Sequence, residues 1–525
     1  MYKYLFLLIF LYTPWVAAQS TPAPQTGGVL KFAVVGEPAN YDCHAQSSFS
    51  FIHAVRPHYS TLLAIDAAKY PAIKGDLAAS WAVSADRLTY TFKLKSGVRF
   101  HDGTALTAED VKASYERIHR PPTGVTSVRA ERYADIASIE TPDPHTVVFK
   151  LARPNNAMLH HFASPFDCIY SAAKLAGDAK FPERNVLGSG PFLFEAHTPG
   201  VQWSGRRYAQ YHDKGKPYLE GYAALFMPRE RMGGALAAGD IHAEFRGLAP
   251  TDRERVIPAM GARAATQESS WTCALVVTFN TTKQPFNTGR VRRALSLAID
   301  RRGGAPALAK VSMARQIGGL SRPGSALALS DEELAAQPGF GKDIEAARSE
   351  ARKLLQAVGV ADLSLTLASR ASDTLYGPVG DYLAAQWKQI GVTVSHERLA
   401  PRDFTQTVLR EPPTFDAALD FACDHADDPN LQFTRYLSHD RTATNASRHT
   451  DRTLDNLFDR QSGEADIRKR RELVREFERR ALRLAYTVPV LWWQRSVVMD
   501  RNVRGWHVTP SHYLGQDLAE VWLAR

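Results

Sequence analysis

From Asp420 to Pro429 the chain reads Asp-Phe-Ala-Cys-Asp-His-Ala-Asp-Asp-Pro, a dense run of carboxylates around an imidazole. Such a run has two uses. Asp424, Asp427 and Asp428 can cap and turn the backbone ahead of the proline. Alternatively, a buried carboxylate can hold a cation that would not leave water unpaired. Trp492, Trp493 and Gln494 lie on a stretch that reads as a strand. Neighbours on a strand point to opposite sides, so at most one of the two indoles can face a given cleft. An aromatic wall of that kind suits flat or aliphatic ligand parts. Arg246, beside Glu244 and Phe245 at the end of a short predicted strand, could pair a carboxylate. Tyr41 and His44 stand in the loop after the first strand and are further candidates for ligand contact.

Motifs for covalent chemistry are missing. Gly188-Ser189-Gly190 is not a nucleophile elbow, because Leu187 stands two positions before the serine. There is no G-x-x-x-x-G-K-[ST] and no H-E-x-x-H. Seventeen histidines yield no convincing i,i+4 pair near a carboxylate, and His160-His161 reads as a helix surface. No catalytic residue, metal or cofactor is therefore expected. The four cysteines, Cys43, Cys168, Cys273 and Cys423, form no C-x-x-C. An even number in an exported chain favours disulfides, and three pairings are open.

The elements that must position these residues are best marked from Leu77 to Arg117. Leu88, Tyr90, Phe92 and Leu94 alternate with Thr89, Thr91, Lys93 and Lys95, the period of a half-buried strand. Thr107 stands three residues before Asp110 in a capping-box-like pattern, and Val111, Tyr115 and Ile118 follow at helical spacing until Pro121-Pro122. Upstream, 29–35 reads as a strand and 49–63 as a helix. Val147, Phe149 and Leu151 alternate after the Asp143-Pro144 turn, and 157–166 reads as a short helix. Gly188 and Gly190 permit a close backbone approach. Residues 225–247 read as strand, helix, strand, with Gly239 breaking the helix. Leu275, Val277 and Phe279 mark another strand, followed by a helix carrying Val291, Ala294, Leu295 and Ala298. Two helix–strand alternations between 351 and 399 then predict α/β layering. Asp466 to Leu484 forms an amphipathic helix with an Arg-rich solvated face.

With 525 residues and 44% hydrophobic composition, the chain can bury a core spread over two or three domains. The net charge is +9, but Lys and Arg are scattered and no nucleic-acid motif appears. A basic exported protein is the simpler reading. Residues 1–18 read as a signal peptide: Lys3, an apolar run too short to span a bilayer, then Val16-Ala17-Ala18 before the cut. No cysteine follows for a lipid anchor, so a periplasmic location is expected.

The segment SWAVSADRLTYTFKLKSGVRFHDGTALTAEDVKASYER resembles the signature of the family 5 extracellular solute-binding proteins, the peptide-, nickel- and opine-type receptors of ABC importers. GEPANYDCH, NVLGSGPFLFE, the 273–301 run and Gly505-Trp506 with Pro510 resemble further parts of that family. At GEPANYDCH the family pattern is closer to E-P-x-x-L-D-P, and Tyr41 and Cys43 depart from it. The resemblance implies an α/β, two-lobed periplasmic binding protein of type II with an extra inserted subdomain, its lobes joined by crossover strands. The first lobe would comprise 19–60, 181–270 and 490–525, the inserted subdomain 61–180 and the second lobe 271–489. It also implies capture of a peptide-like solute by hinge closure and delivery to the permease subunits of an ABC transporter, with the protein monomeric. In peptide-binding relatives a carboxylate after the corresponding strand anchors the ligand's α-ammonium. Counting from Phe421, where Trp is common, gives Asp424; counting back from Pro429 gives His425. Cystines of oligopeptide-binding relatives correspond to Cys273–Cys423. Cys43 and Cys168 remain, and both flank the first crossover into the inserted subdomain. Two other functions compete: an exported hydrolase, which turnover of esters, peptides or glycosides would reveal, and a ligand sensor or chaperone without a transporter.

Overall fold

In the computed structural model, which describes residues 23–372 and 375–525, the alternating segment folds as its pattern predicts. The expected leader, residues 1–18, lies outside the described residues. Ala78–Val83 pairs antiparallel with Thr89–Leu94, which pairs with Thr146–Leu151, which pairs with Ile136–Asp143. Tyr90, Phe92 and Leu94 point into a core with Phe149 and Phe162 while Lys93 is exposed. Helix Ala108–His119 starts on a Thr107/Asp110 capping box and lays Val111, Tyr115 and Ile118 on that core. This four-stranded sheet and its helix form the inserted subdomain.

The first lobe is built on a second sheet, in the order Val29–Val34, Gly221–Phe226, Gln202–Arg207, Phe192–Thr198. Its core holds Phe32, Phe51, Trp203, Tyr222 and Phe245. Chain returning from the inserted subdomain crosses the 57–59 backbone at Gly188 and Gly190. A Cβ at either position would collide with main-chain atoms of His58 or Tyr59, so glycine is required by contact alone. Cys43–Cys168 joins the loop after the first strand to this return, with Cα atoms 6.0 Å apart.

Two long strands, Ala264–Phe279 and Thr487–Asp500, run antiparallel from one lobe into the other. Ala243 bridges Phe32 and Met499 and so ties the first-lobe sheet to this pair. At their far ends they become the middle of a six-stranded sheet: Ala314–Gln316, Thr487–Asp500, Ala264–Phe279, Ala417–Cys423, Ser364–Arg370, Thr393–Leu399. Its core contains Phe279, Leu295, Trp387 and Trp493. Cys273 and Cys423 are directly opposite in the register and are bonded, with Cα atoms 4.2 Å apart. Both disulfides are the pairs expected. An outer layer follows, in which helix Ile467–Leu484 buries Val474, Phe477 and Ala481 against Phe433 and Tyr436.

Three expected elements differ. The helix expected over 49–63 is only Phe49–Val55; Pro57 removes a donor, and the His58–Tyr59 backbone serves the glycine crossing instead. The helix expected over 157–166 is only Met158–Phe162, closed before Pro165. The strand expected to carry Glu244 to Arg246 is reduced to the bridge at Ala243. There the Glu244 carboxylate accepts the amides of Arg246 and Gly247, a local side-chain bond that competes with strand pairing.

Candidate functional site

Strand alternation sorts the tryptophans. Trp271 and Trp493 lie on one side of the crossover pair, their ring centroids 5.3 Å apart. Phe421 is 6.2 Å and Tyr376 6.5 Å from Trp493. The first lobe contributes Phe49 and Arg246 to the same cluster: the guanidinium carbon lies 4.1 Å from the Phe49 centroid and 5.8 Å from that of Trp271. Both lobes and the strands between them thus build one aromatic box. Among the described residues the Arg246 guanidinium makes no hydrogen bond and no ion pair, and its Nε is buried without a partner. Burial, helped by Arg229 and opposed by Tyr376 and Glu244, pulls its pKa down to about 10. The neighbouring acid, Glu244, is committed to backbone amides.

Trp492 faces the other way. Its Nε1 donates to the Gly319 carbonyl at 3.0 Å, and a Cβ on Gly318 would sit 2.7 Å from the indole. Beside it lies a cavity of about 150 Å³, walled by Thr272, Ala274, Asp424, Arg132 and Arg435. A second cavity of about 370 Å³, between the inserted subdomain and the second lobe, shares Arg132, Thr434 and Thr444 with the first.

Asp424 stands at the junction of these spaces. Arg132 of the inserted subdomain grips it with two parallel hydrogen bonds, 3.2 Å to Oδ1 and 3.0 Å to Oδ2. The His425 amide donates to Oδ1 at 2.8 Å, and His425 Nδ1 lies 3.0 Å from the same oxygen. Burial alone would raise the Asp424 carboxyl, but Arg132 and His425 outweigh it and hold the group well below the usual carboxylate range. His425 then reaches the inserted subdomain, its Nε2 donating to the His160 carbonyl at 3.0 Å. Asp424, Arg246 and Arg132 all act electrostatically on Tyr513, whose phenol burial pushes up to about 12. The turn aspartates are occupied as well: Asp427 takes Arg322, and Asp428 takes Arg470 while capping helix Pro429–Gln432.

Of the residues singled out in the sequence, Phe421, Trp493 and Arg246 come together in the box, while Asp424 lines the cavity on the Trp492 side. Others are displaced. Tyr41 packs on Trp203 in the first lobe and bonds His197 at 2.9 Å. His44 is fully buried, bound to the Cys168 carbonyl and Arg117, because the Cys43–Cys168 bond draws its loop inward. Phe245 is fully buried against Trp506, the side chain next to Arg246 taking the opposite direction. Gln494 turns outward to Glu268. His161, expected on a helix surface, is buried, and burial holds its imidazole at about 3. Sequence reasoning missed Phe49, Trp271 and Tyr376. It also missed Arg132, which sits in a short 3-10 turn, Ala130–Tyr133, without any motif.

Residues 72–443 match the model of the bacterial extracellular solute-binding proteins, family 5 Middle, well over half of the chain. The chain belongs to this family. Glutathione-binding protein GsiB of Escherichia coli is 30% identical over 261 residues, 49% of this chain and 48% of that protein. The probable D,D-dipeptide-binding periplasmic protein DdpA of Escherichia coli is 32% identical over 243 residues, 44% of each. These matches span about half the length of the curated relatives. Among solved structures, AgaA of A. tumefaciens in complex with agropinic acid superposes with a TM-score of 0.81 at 25% identity, covering 95% of this chain and 99% of that one. The Helicobacter pylori protein DppA with a bound peptide gives 0.81 at 22% identity, again over 95% of this chain, a likeness of fold. This family 5 protein therefore has the two-lobed binding-protein architecture. No helix among the described residues is long and apolar enough to cross a membrane.

Proposed function

We propose that this family 5 protein captures a small, peptide-like solute between its lobes in the periplasm and delivers it to the membrane subunits of an ABC importer. The observation that carries the reading is the aromatic box, assembled from both lobes and the crossover strands around an arginine without an acid partner. A box divided between two bodies can only be completed by bringing them together, which is how hinge closure couples to binding. GsiB and DdpA are named for glutathione and dipeptides, and AgaA is in complex with agropinic acid, which supports a small ligand of peptide-like or acidic chemistry. Binding is the whole of the activity in this reading, with the protein acting as a monomer without turnover. Mass spectrometry of solute released by mild denaturation from protein purified out of the periplasm tests it. A stoichiometric amino-acid-containing solute is expected; release of none, together with turnover of ester or peptide substrates, would overturn the proposal.

A further inference from the structure

We infer that this site takes its solute by a carboxylate placed on Arg246, and that Arg132 fills from within the protein the place on Asp424 where a ligand ammonium would bind. The inference rests on the solute-receptor reading above and names the ligand class for it.

Two observations on opposite sides of the site carry it. At Asp424 the carboxylate is already satisfied. Arg132 holds both oxygens in a fork, and His425 adds its amide and Nδ1. Paired forks of this kind are the stronger class of charge-assisted bond. An incoming ammonium would have to break the fork and strand a guanidinium whose side chain is 29% exposed. At Arg246 the situation is reversed: a guanidinium stacked on Phe49 and Trp271 has a buried Nε with no acceptor, and the nearest acid is bound to amides. Stacking on aromatic faces lets a guanidinium stay charged while its in-plane donors remain open to a planar acceptor. Arg435, on the cavity wall beside Asp424, also has no ion pair among the described residues. Arg370 pairs with Asp420 and Arg132 with Asp424; Glu244 acts electrostatically on Arg246 and Asp420 on Arg435, but neither of these arginines forms an ion pair among the described residues. The surplus calls for an anion. A solute with a free carboxylate and a blocked or absent α-ammonium, such as an N-acylated or N-substituted amino acid or short peptide, meets both conditions.

The test uses one dipeptide mixture in three forms, free, N-acetylated and C-amidated, titrated calorimetrically against the full mature protein. The N-acetylated form should bind at least as tightly as the free form, and amidation should weaken binding tenfold or more. Arg246→Gln should lose tenfold or more for the N-acetylated form. Should R246Q fail to fold, R246K keeps the charge without the fork and should still lose several-fold; unchanged affinity in either folded variant overturns the inference. Arg132→Met should gain affinity for the free form specifically. Tight binding of the amidated form with loss of the acetylated one would sink the inference and leave the receptor reading standing. Binding of none of the three forms would reject the peptide-like reading itself, and the inference with it.

Discussion

Each aspartate between 420 and 428 has its own arginine, drawn from four separate places in the chain: Asp420 with Arg370, Asp424 with Arg132, Asp427 with Arg322, Asp428 with Arg470. These pairs differ in burial, and so do the expected consequences of breaking them. Asp428 and Arg470 are both nearly dry, so Asp428→Asn should destabilise by about 3 kcal/mol in urea unfolding and leave solute affinity near the wild-type value. Arg132 keeps some contact with water, so Asp424→Asn should lower stability by a smaller amount, about 1–3 kcal/mol. A second change, R132M, should recover part of that loss. Glu478 poses a different case. It is buried, and its carboxylate accepts the amides of Leu320 and Ser321, in the loop behind Trp492. Burial raises its pKa to about 7 from 4.5 in spite of those amides. The folded protein therefore holds a proton that the unfolded chain releases. This contribution to stability is complete below about pH 4.5 and is lost as pH rises through about 7. Its total is about 3 kcal/mol by linkage. Subtracting the stability–pH curve of Glu478→Gln from that of the wild type should expose a downward slope between those limits; a flat difference would show that Glu478 ionises normally.

At the scale of elements, the crossover pair does most to set the site. Antiparallel pairing of Ala264–Phe279 with Thr487–Asp500 brings Trp271 and Trp493 to one face and Ala274, Val276 and Trp492 to the other. The Cys273–Cys423 bond fastens the third strand, and Phe421 with it, to that pair. It spans 150 residues, so replacing both cysteines by serine should cost about 2–4 kcal/mol, measured by denaturant unfolding of the two proteins under non-reducing conditions. Local chemistry told well where helices begin: the Thr107–Asp110 box is present, and the helix expected from Asp466 begins at Ile467 with Asp466 capping it. It told poorly where they end when distant chain intervened. Nothing local to 56–63 announces that Gly188 and Gly190 will cross there, and that crossing stops the first helix after Val55.

For the whole molecule, the inserted subdomain meets the second lobe along a seam rich in polar contacts. Asn430 donates to Asn155 at 2.9 Å, Asn156 to the carbonyls of Gln461 and Glu464 at 2.9 and 2.7 Å, and Arg87 to the carbonyl of Gly463 at 2.7 Å. Arg132–Asp424, His425–His160 and Arg153–Asp459 also cross it. The neutral bonds of this seam exchange partners with water at little net cost, so opening it has chiefly to break the Arg132–Asp424 fork and uncover Ala426 and Leu431, which pack into the inserted subdomain's core. Small-angle scattering should accordingly give a smaller radius of gyration with the co-purified solute than after its removal. An equal radius at saturating solute would exclude closure of the lobes on the ligand.

The sequence by itself determined the secondary structure pattern of the inserted subdomain, because periodicity and turn chemistry are written in consecutive residues; the family and the two-lobed architecture were legible through the resemblance of those segments to known solute-binding proteins. It also singled out Phe421, Trp493, Arg246 and Asp424, which sit on or beside strands whose ends are marked locally. Only the tertiary structure decided what each faces. Adjacent strand positions are equivalent until a sheet assigns its sides, so Phe245 could not be separated from Arg246, nor Trp492 from Trp493. A disulfide 125 residues long drew His44 inward. Asp424 looked free because its partner, Arg132, is 292 residues away on another subdomain. A charge pair leaves no trace in sequence when its members share no element.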